Sequence, residues 1–498
     1  MAAARAASER WRRTPWSRRR DVLRAFRHAL VESVGELHGG IPIPSRTLTQ
    51  TTVAEVLPLA AACRWLERKG ERTLRTRRLG PWRRPLWLPG VTGRVSREPH
   101  GAVLILGTWN YPVFLVGVQA LQALAAGNAV TIKPGRGCEA VTRMLARLLF
   151  EAGLPRELLS ATDDSAETGE AAVAAGFDHI VLTGSAETGR RVLRAAAETL
   201  TPCTVELSGS DAVLIGEDAD LERTARCVAF GLHFNGGATC IAPRRVFVSD
   251  RHADAFLAKL TPLLHAVDVP RELREAAVPL VAEALREGAK AVGEPARVSG
   301  RSGPGFEAIT GTTAGQASSE SDTPGADARR LASRPVLLDH CEPSMRLLRS
   351  DVFAPVLTVV RCRDAEDMLA KANACPYALG ASVFGEDSRL RGVRAECVTV
   401  NDLIVPTADP RVPFGGVGES GYGVTRGPEG LLSMTRPRVV LERRGNQLPH
   451  LDEPHETDAE LLGNAAKMLY GAMNKRWAAL KRVIAAGKKR KESGEPPA

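Results

Sequence analysis

The stretch Gly101–Ile132, GAVLILGTWNYPVFLVGVQALQALAAGNAVTI, contains no charged residue and decides the fold. Its first apolar run, 102–106, ends at TWNYP (108–112), where polar residues and a proline break any membrane-spanning helix. We therefore predict a buried strand, a turn, a buried helix and a second strand at 129–132. This order of elements is the repeating unit of a parallel sheet.

The same alternation continues along the chain in both directions from this stretch. Residues 14–79 have helical periodicity, and 79–100, rich in Pro, Trp, Arg and Val, resemble a hairpin arm. A second α/β region starts with a helix around 221–234 and continues to about 396. The sequence therefore predicts an α/β protein with a mainly parallel sheet, whose further strands lie at 179–182, 204–207, 212–215 and 245–248.

Composition limits the classes of protein that this chain can be. Its 498 residues are too many for one compact core, so we expect two or three domains. The nine cysteines form no CxxC pair and no Cys/His cluster, so neither metal nor disulfides are expected, and a reducing cytoplasm fits best. Much of the net charge of +10 lies at the two ends, and no nucleic-acid-binding motif is present.

Two segments differ from the α/β body. Residues 293–324 are dense in Gly, Ser, Thr and Ala, which predicts a surface loop or an insertion without its own core. After Pro454, one amphipathic helix with a basic end is predicted to reach Gly487. It would dock on the body, on a sister subunit or on a membrane surface through its apolar stripe, namely Leu462, Ala466, Leu469, Met473, Trp477, Leu480 and Ile484.

Three residues stand where chemistry is plausible. Glu206 ends an apolar strand, and burial there would raise its pKa toward that of a general base. Cys240 follows Gly236-Gly237, whose exposed amides could activate a thiol or hold an oxyanion. Asn110, in the turn after the first strand, could donate its amide to the same oxyanion. Each also has a structural alternative: a salt-bridged Glu, an inert Cys and a turn Asn.

Two further segments suit a dinucleotide. Lys133-Pro134 ends the second strand, where the lysine could bind a ribose or phosphate. TGSAETG at 183–189 joins a strand to a helix, and such a turn at a helix N-terminus suits a pyrophosphate. The pattern is not GxGxxG, so by itself it is a modest signal.

Taken in order, these motifs resemble the aldehyde dehydrogenase superfamily up to about residue 445, most closely its class 3 branch, which includes the fatty aldehyde dehydrogenases. The resemblance rests on GTWNYP (107–112), AAGNAV (125–130), KP (133–134), TGS (183–185) with Gly189, LTPCTVEL (200–207), Asn235 with Gly237 and Cys240, VF (352–353) with PVL (355–357), and PFGGVG (413–418) with SG (420–421).

The resemblance implies a fold and a division into domains. A Rossmann-like cofactor domain would comprise 1–79 and 101–205, and an α/β catalytic domain 206–396. A small β oligomerisation unit would comprise 80–100 and 397–445. Residues 446–498 would form a linker and the basic C-terminal helix. A homodimer, cytoplasmic or attached peripherally to a membrane, is the expected assembly.

The resemblance also implies a reaction, the NAD- or NADP-dependent oxidation of an aldehyde to a carboxylic acid. Cys240 would attack the aldehyde, Asn110 and the Cys240 backbone N–H would hold the oxyanion, and Glu206 would activate water. The cofactor would contact Lys133, Arg136, Gly184, Ser185, Gly189, Asp351 and Phe353.

Several positions depart from the family's pattern. Arg136 stands where a Glu usually binds the adenosine ribose, which suggests that NADP is accepted. Asp351 replaces a Glu that grips the nicotinamide ribose. Ser208, Ser210 and Ala238 replace a usual Gly, Lys and Gln beside the base and the nucleophile.

Other functions stay open at this stage. The thioester could pass to coenzyme A instead of water, although retention of Glu206 disfavours this. A catalytically weakened homologue could serve as a binding or scaffold subunit through its C-terminal helix. A thiol esterase using Cys240 is a lesser alternative.

Overall fold

The computed structural model describes residues 1–82, 84–85, 88, 90–293, 330–445, 448–451 and 456–492. The loop or insertion predicted for 293–324 lies outside these residues, apart from Gly293. The chain divides into two compact units, one of Met1–Arg77 with Val95–Arg438 and one of Arg78–Arg94 with Val439–Ala498.

The first unit contains a six-stranded sheet built around the uncharged stretch. Its strands are parallel except for the short edge strand Gly421–Tyr422, which runs antiparallel to its neighbour. The central strand, Ala102–Leu106, is buried at every position, as expected for a parallel strand covered on both faces. The strand order is Gly421–Tyr422, Cys203–Leu207, His179–Gly184, Ala102–Leu106, Ala129–Lys133 and Leu159–Ala161.

The helix after the first strand explains why the stretch has no charge. All residues of Phe114–Ala126 are buried, so a charged side chain at any of them would lose its hydration. The helix ends at Gly127, whose φ of 106° suits glycine. The other helices of this half are Ala2–Arg13, Trp16–Glu32, Val34–Gly40, Leu48–Thr51, the π-helical turn Thr52–Val56, Leu57–Thr73, Glu139–Glu151, Ala166–Ala174 and Ala186–Ala197.

A second sheet has seven strands. The first of them in the chain, Asp211–Ile215, follows the strand that carries Glu206 after three residues. Neighbouring strands of this sheet are parallel, except that the edge strand Lys290–Ala291 runs antiparallel to the next one. The order is Lys290–Ala291, Val336–Asp339, Val356–Cys362, Pro243–Ser249, Asp211–Ile215, Gly380–Phe384 and Cys397–Val400. The helices around this sheet are Leu221–His233, Asp250–Leu260, Arg271–Arg286 and Ala365–Asn373, whereas Gly427–Ser433 packs on the helices Leu57–Thr73 and Phe114–Ala126 of the first sheet.

Three strand pairs complete the first unit: Val267–Pro270 with Arg330–Ser333, Tyr377–Ala378 with Val417–Gly418, and Phe414–Gly415 with Val424–Thr425. The predicted α/β class is confirmed, and the strands predicted at 102–106, 129–132, 179–182, 204–207, 212–215 and 245–248 are each found within one or two residues. The boundaries of the cofactor, catalytic and oligomerisation domains stay predictions.

The C-terminal segment forms two helices, Glu456–Tyr470 and Met473–Glu492, so the prediction of one continuous helix is wrong. The break falls at Gly471, a residue type that weakens a helix interior. Breaking there lets the two helices pack on each other and bury Asn464 and Ala479.

The remaining strands form a three-stranded sheet in the order Arg77–Leu79, Val91–Pro99 and Thr435–Arg443. None of the helices within the described residues is long and apolar enough to cross a bilayer.

A buried ion pair joins the N-terminal helices to the uncharged stretch. Glu55 is fully buried and Arg46 is 4% exposed, and they meet at 2.5 Å. The other Glu55 oxygen accepts the N–H groups of Val113 and Phe114, so it caps the start of the buried helix. Burial raises the pKa of Glu55 to about 7, although Arg46 and the two N–H donors favour the carboxylate.

Replacing Arg46 tests how much this ion pair contributes to the stability of the fold. Arg46→Leu leaves Glu55 buried without its cation, so we expect the free energy of unfolding to fall by about 3–5 kcal/mol. Guanidinium denaturation followed by circular dichroism measures the loss. Arg143→Leu breaks the exposed pair with Glu139 and should cost at most about 1 kcal/mol. Similar losses in the two variants would contradict the role given to Arg46.

Candidate active site

One cavity of about 1070 Å³ collects the chemically interesting residues. Nine of the ten residues predicted for the site line it, namely Asn110, Glu206, Cys240, Lys133, Arg136, Gly184, Ser185, Asp351 and Phe353. The tenth, Gly189, lies in the helix Ala186–Ala197 and packs against Leu207, where a Cβ would stand 2.7 Å from that side chain. Its small size therefore serves the packing of helix on sheet.

The loop before Cys240 has an unusual backbone. Asn235, Gly236 and Gly237 have φ of 56°, 62° and 74°, all in the left-handed region. A Cβ on Gly236 would stand 2.4 Å from the Asp268 carbonyl, so glycine is required there on two grounds. This turn brings the chain from the helix Leu221–His233 to the cavity.

Two buried arginines hold this loop in place. Arg46 donates to the Asn110 carbonyl and to Asn235 Oδ1, both at 2.5 Å. Arg244 donates to the Gly237 carbonyl at 2.5 Å and to the Ala354 carbonyl at 2.6 Å. The turn carrying Asn110 and the loop leading to Cys240 are therefore cross-linked by charge-assisted hydrogen bonds.

The Asn110 side chain is oriented on both sides. Its Oδ1 accepts a hydrogen bond from the Thr108 hydroxyl at 2.6 Å. Nδ2 donates to the Ala238 carbonyl at 3.0 Å, two residues before the cysteine. An amide nitrogen carries two hydrogens, so one N–H remains for an oxyanion beside Cys240.

Glu206 is a buried carboxyl with unused hydrogen-bonding capacity. It is 2% exposed, and neither oxygen has a hydrogen-bond partner among the described residues. Burial raises its pKa, while the charge of Arg426 and the Cys240 thiol oppose that shift. The raised pKa makes the Glu206 carboxylate a stronger base than an exposed one, which suits the role of a general base.

The Cys240 thiol shares this environment. The residue is half-buried, and its pKa is raised first by burial and then by the negative charges of Glu206 and Asp211. Arg426 is the cation that opposes this shift. The thiol therefore depends on a nearby base or positive charge to become a nucleophile.

Arg426 is a site residue that sequence reasoning missed. It is 4% exposed, and its guanidinium lies 3.9 Å from the centroid of the Phe414 ring, while it donates to the Thr407 carbonyl at 2.8 Å. Phe414 belongs to an apolar cluster against which Cys240 packs. The only sequence signal is an arginine a few residues after the PFGGVG motif, and arginines at such positions are usually solvated.

The other end of the cavity has features that fit a dinucleotide. Ser185 caps the helix Ala186–Ala197 at the N-terminus that faces the cavity. A Cβ on Gly135 would stand 2.3 Å from the backbone of Thr108, so two wall segments touch there. Lys133 donates to the Asp164 carbonyl at 2.9 Å, and Arg136 is exposed at the rim.

Asp351 offers an acceptor in the middle of the same cavity. Its Oδ1 is buried and has no hydrogen-bond partner among the described residues. Phe353, two residues later, makes an edge-to-face contact with Trp109, with 6.1 Å between ring centroids. A ribose hydroxyl would satisfy the free oxygen, so the donor and acceptor set suits NAD or NADP.

Comparison with known proteins agrees with this geometry. Residues 1–440 match the profile described as "Aldehyde dehydrogenase family". A 4,4'-diapolycopene aldehyde oxidase of Methylomonas is 28% identical over 90% of this chain and 82% of its own. A 4,4'-diapolycopene-4,4'-dial dehydrogenase of Cytobacillus firmus is 31% identical over 68% of this chain and 71% of its own.

Solved structures give the same result. A Mycobacterium tuberculosis aldehyde dehydrogenase complexed with NAD+ has a TM-score of 0.76 and 27% identity, covering 90% of each chain. An NADP-dependent glyceraldehyde-3-phosphate dehydrogenase from Bacillus halodurans, complexed with NADP, has a TM-score of 0.75 and 27% identity, covering 89% of this chain and 90% of its own.

The chain belongs to the aldehyde dehydrogenase family. As the sequence predicts, it is an oxidoreductase that acts on aldehydes with NAD or NADP. The fold predicted from the resemblance is confirmed as well.

Arg426 gives a test of the site's electrostatics. Its charge lowers the pKa of Cys240, so Arg426→Leu should raise that pKa and slow alkylation of the thiol at about pH 8 by roughly tenfold for each pKa unit. Mass spectrometry of the Cys240 peptide after iodoacetamide treatment separates this thiol from the other eight. Arg426→Lys keeps the charge and should stay closer to wild type. Equal rates in wild type and Arg426→Leu would disprove the assignment.

Proposed function

We propose that Cys240, Asn110 and Glu206 carry out the oxidation, through a thiohemiacetal and then a thioester on the cysteine. The observation that supports this proposal is the convergence of all three on one cavity, with the unpartnered Glu206 carboxyl close enough to Cys240 to shift its pKa. The cofactor would contact Lys133, Arg136, Gly184, Ser185, Asp351 and Phe353, whereas Gly189 would act through packing.

The first half of the reaction forms and oxidises the covalent adduct. Cys240 loses its proton to Glu206, and the sulfur attacks the aldehyde carbon, so the C=O electron pair moves to oxygen. The free N–H of Asn110 stabilises this oxyanion. When bound, the nicotinamide supplies the hydride acceptor, and loss of hydride from the carbon leaves a thioester.

The second half releases the acid. Glu206 first releases to solvent the proton that it took from Cys240, and it then takes a proton from water while the water oxygen attacks the thioester carbon. The C–S bond then breaks, the sulfur leaves with the bonding electrons, and the carboxylic acid departs. The raised pKa of Glu206 suits both proton transfers, because it makes the carboxylate a better proton acceptor than an exposed one.

Glu206→Gln separates these two halves. Without the base for hydrolysis, we expect one burst of NADH or NADPH per active site, followed by turnover at least about a hundredfold slower. Stopped-flow absorbance with saturating aldehyde measures both phases. Cys240→Ala should give neither phase, while Cys227→Ala, which removes a half-buried cysteine outside the cavity, should behave as wild type.

The alternatives predict different results in the same assay. Acceleration of the wild-type steady state by coenzyme A would favour a CoA-acylating enzyme. Absence of both phases in wild type with every aldehyde of a short, long and aromatic panel would favour the scaffold hypothesis. Hydrolysis of activated esters without any cofactor reduction would favour the esterase.

We propose further that the cavity accepts NADP. Arg136 is exposed at the rim, where the family's usual Glu would repel a 2'-phosphate, and its guanidinium can bind that phosphate in a bidentate manner. Arg136→Glu should lower kcat/KM for NADPH formation by about 10- to 100-fold, the effect of one charged hydrogen bond, and spare NAD. Steady-state rates with both cofactors measure this. A loss shared equally by NAD and NADP would contradict the proposal.

A large apolar aldehyde is the substrate class that we propose. Trp109, Leu115 and Phe353 line the cavity, and Cys240 packs against the apolar cluster of Ile241, Leu379 and Phe414. Two relatives are named for 4,4'-diapolycopene aldehydes, which agrees with such a pocket. On the sequence resemblance alone, we also propose membership of the class 3 branch, a homodimer and a cytoplasmic location.

A further inference from the structure

The two C-terminal helices, Glu456–Tyr470 and Met473–Glu492, form a hairpin that leaves large apolar side chains in solvent. Packing between the helices buries Asn464 and Ala479 but leaves much of the apolar stripe outside. The exposed fractions are 61% for Leu462, 67% for Tyr470, 82% for Met473, 72% for Trp477 and 53% for Ile484.

The large exposed apolar residues of the second helix share one face. Met473, Trp477 and Ile484 are spaced by four and seven residues, which places them within about 40° of each other around the axis. Lys481 and Lys488, both exposed, lie beside this face at the same helical spacing. The helix therefore presents an apolar stripe with an aromatic residue, bordered by cations.

The charge of this helix is positive up to its last residue, Glu492. From Met473 to Lys491 the sequence has no Asp or Glu, and its eight basic residues are Lys475, Arg476, Lys481, Arg482, Lys488, Lys489, Arg490 and Lys491. A partner for such a surface must be apolar in its interior and negatively charged at its boundary. A bilayer with anionic lipid has both properties in the required order.

A second copy of the chain meets this requirement less well. Much of the net charge of +10 lies at the two ends of the chain, so the body of a sister subunit is close to neutral and offers the basic helix no net negative charge. Nucleic acid would match the charge but not the exposed Met, Trp and Ile side chains. Charge complementarity therefore favours the lipid surface.

We propose that the hairpin 456–492 binds the surface of membranes that contain anionic lipid. Trp477, Met473 and Ile484 enter the boundary between headgroups and acyl chains, and the flanking lysines and arginines contact phosphate and carboxylate groups. The helix lies along the surface, in agreement with the absence of a spanning helix among the described residues.

Flotation with vesicles of phosphatidylcholine, alone or with about 30% phosphatidylserine, tests the proposal with the full-length protein. We expect binding to the anionic vesicles at least about tenfold stronger than to neutral ones, and most of it lost at about 0.5 M salt. Equal binding to both vesicles, or none to either, would overturn the proposal.

Two sets of variants assign the binding to the hairpin. The first variant, Met473→Ser with Trp477→Ser, removes the apolar contact. The second variant removes charge by replacing four basic residues with Gln, namely Lys475, Arg476, Lys481 and Lys488. Each set should weaken flotation at least tenfold. The controls are Leu200→Ser, which removes a side chain 88% exposed elsewhere, and Gln at the exposed Arg68, Lys69, Arg223 and Arg226.

The controls should float as wild type, and both hairpin variants should keep the wild-type circular dichroism spectrum. Sedimentation velocity without lipid tests the alternative that a second copy of the chain covers the apolar stripe. If Met473→Ser with Trp477→Ser converts a dimer to a monomer while wild-type flotation is absent, the stripe is an interface between copies and the proposal is wrong. Flotation that is equally weakened by the control charge set would also overturn it.

Discussion

The ion pair between Arg46 and Glu55 is the constraint on which the site depends. A carboxylate and a guanidinium without solvent must find each other and satisfy their remaining hydrogen-bonding atoms, or the chain loses several kcal/mol. Glu55 satisfies this requirement with the first N–H groups of the buried helix, and Arg46 with the backbone of Asn110 and the side chain of Asn235. The turn that carries Asn110 and the loop that leads to Cys240 therefore meet because two buried charges require partners. The proposed catalytic arrangement follows from this electrostatic need.

Much of the fold could be predicted because parallel strands covered on both faces leave continuous apolar runs in the sequence. Ala102–Leu106 and its neighbours have that pattern, and their positions were correct within two residues. The site residues were found differently, through the order of short motifs, and the structure brings nine of ten to one cavity. Gly189 shows the limit of that approach, because a glycine in a binding motif can serve the packing of the helix behind it.

The features that the sequence did not reveal all depend on distant contacts. Arg46 is one arginine among many, and its partner Asn235 lies 189 residues away, so no local pattern marks it. Arg426 reads as a solvated charge until Phe414 and Thr407 are seen around it. The break at Gly471 was missed because a glycine costs a helix only about 1 kcal/mol, and a periodic stripe outweighs it locally. Two helices form instead of one because Glu456–Tyr470 and Met473–Glu492 bury surface against each other.

The edge strand Gly421–Tyr422 determines what mutations that shorten the chain would do. Asn110, Glu206 and Cys240 are all encoded in the first half of the chain, yet the strand that carries Glu206 is completed by a segment more than two hundred residues later. A Cβ on Gly421 would stand 2.0 Å from the Val205 carbonyl, so this closure admits no other residue. A frameshift before Gly421 would leave Asn110, Glu206 and Cys240 in the chain and still remove the strand that pairs with the one carrying Glu206. Truncations that remove this strand therefore belong with the null alleles, although a list of the proposed catalytic residues would class them as harmless.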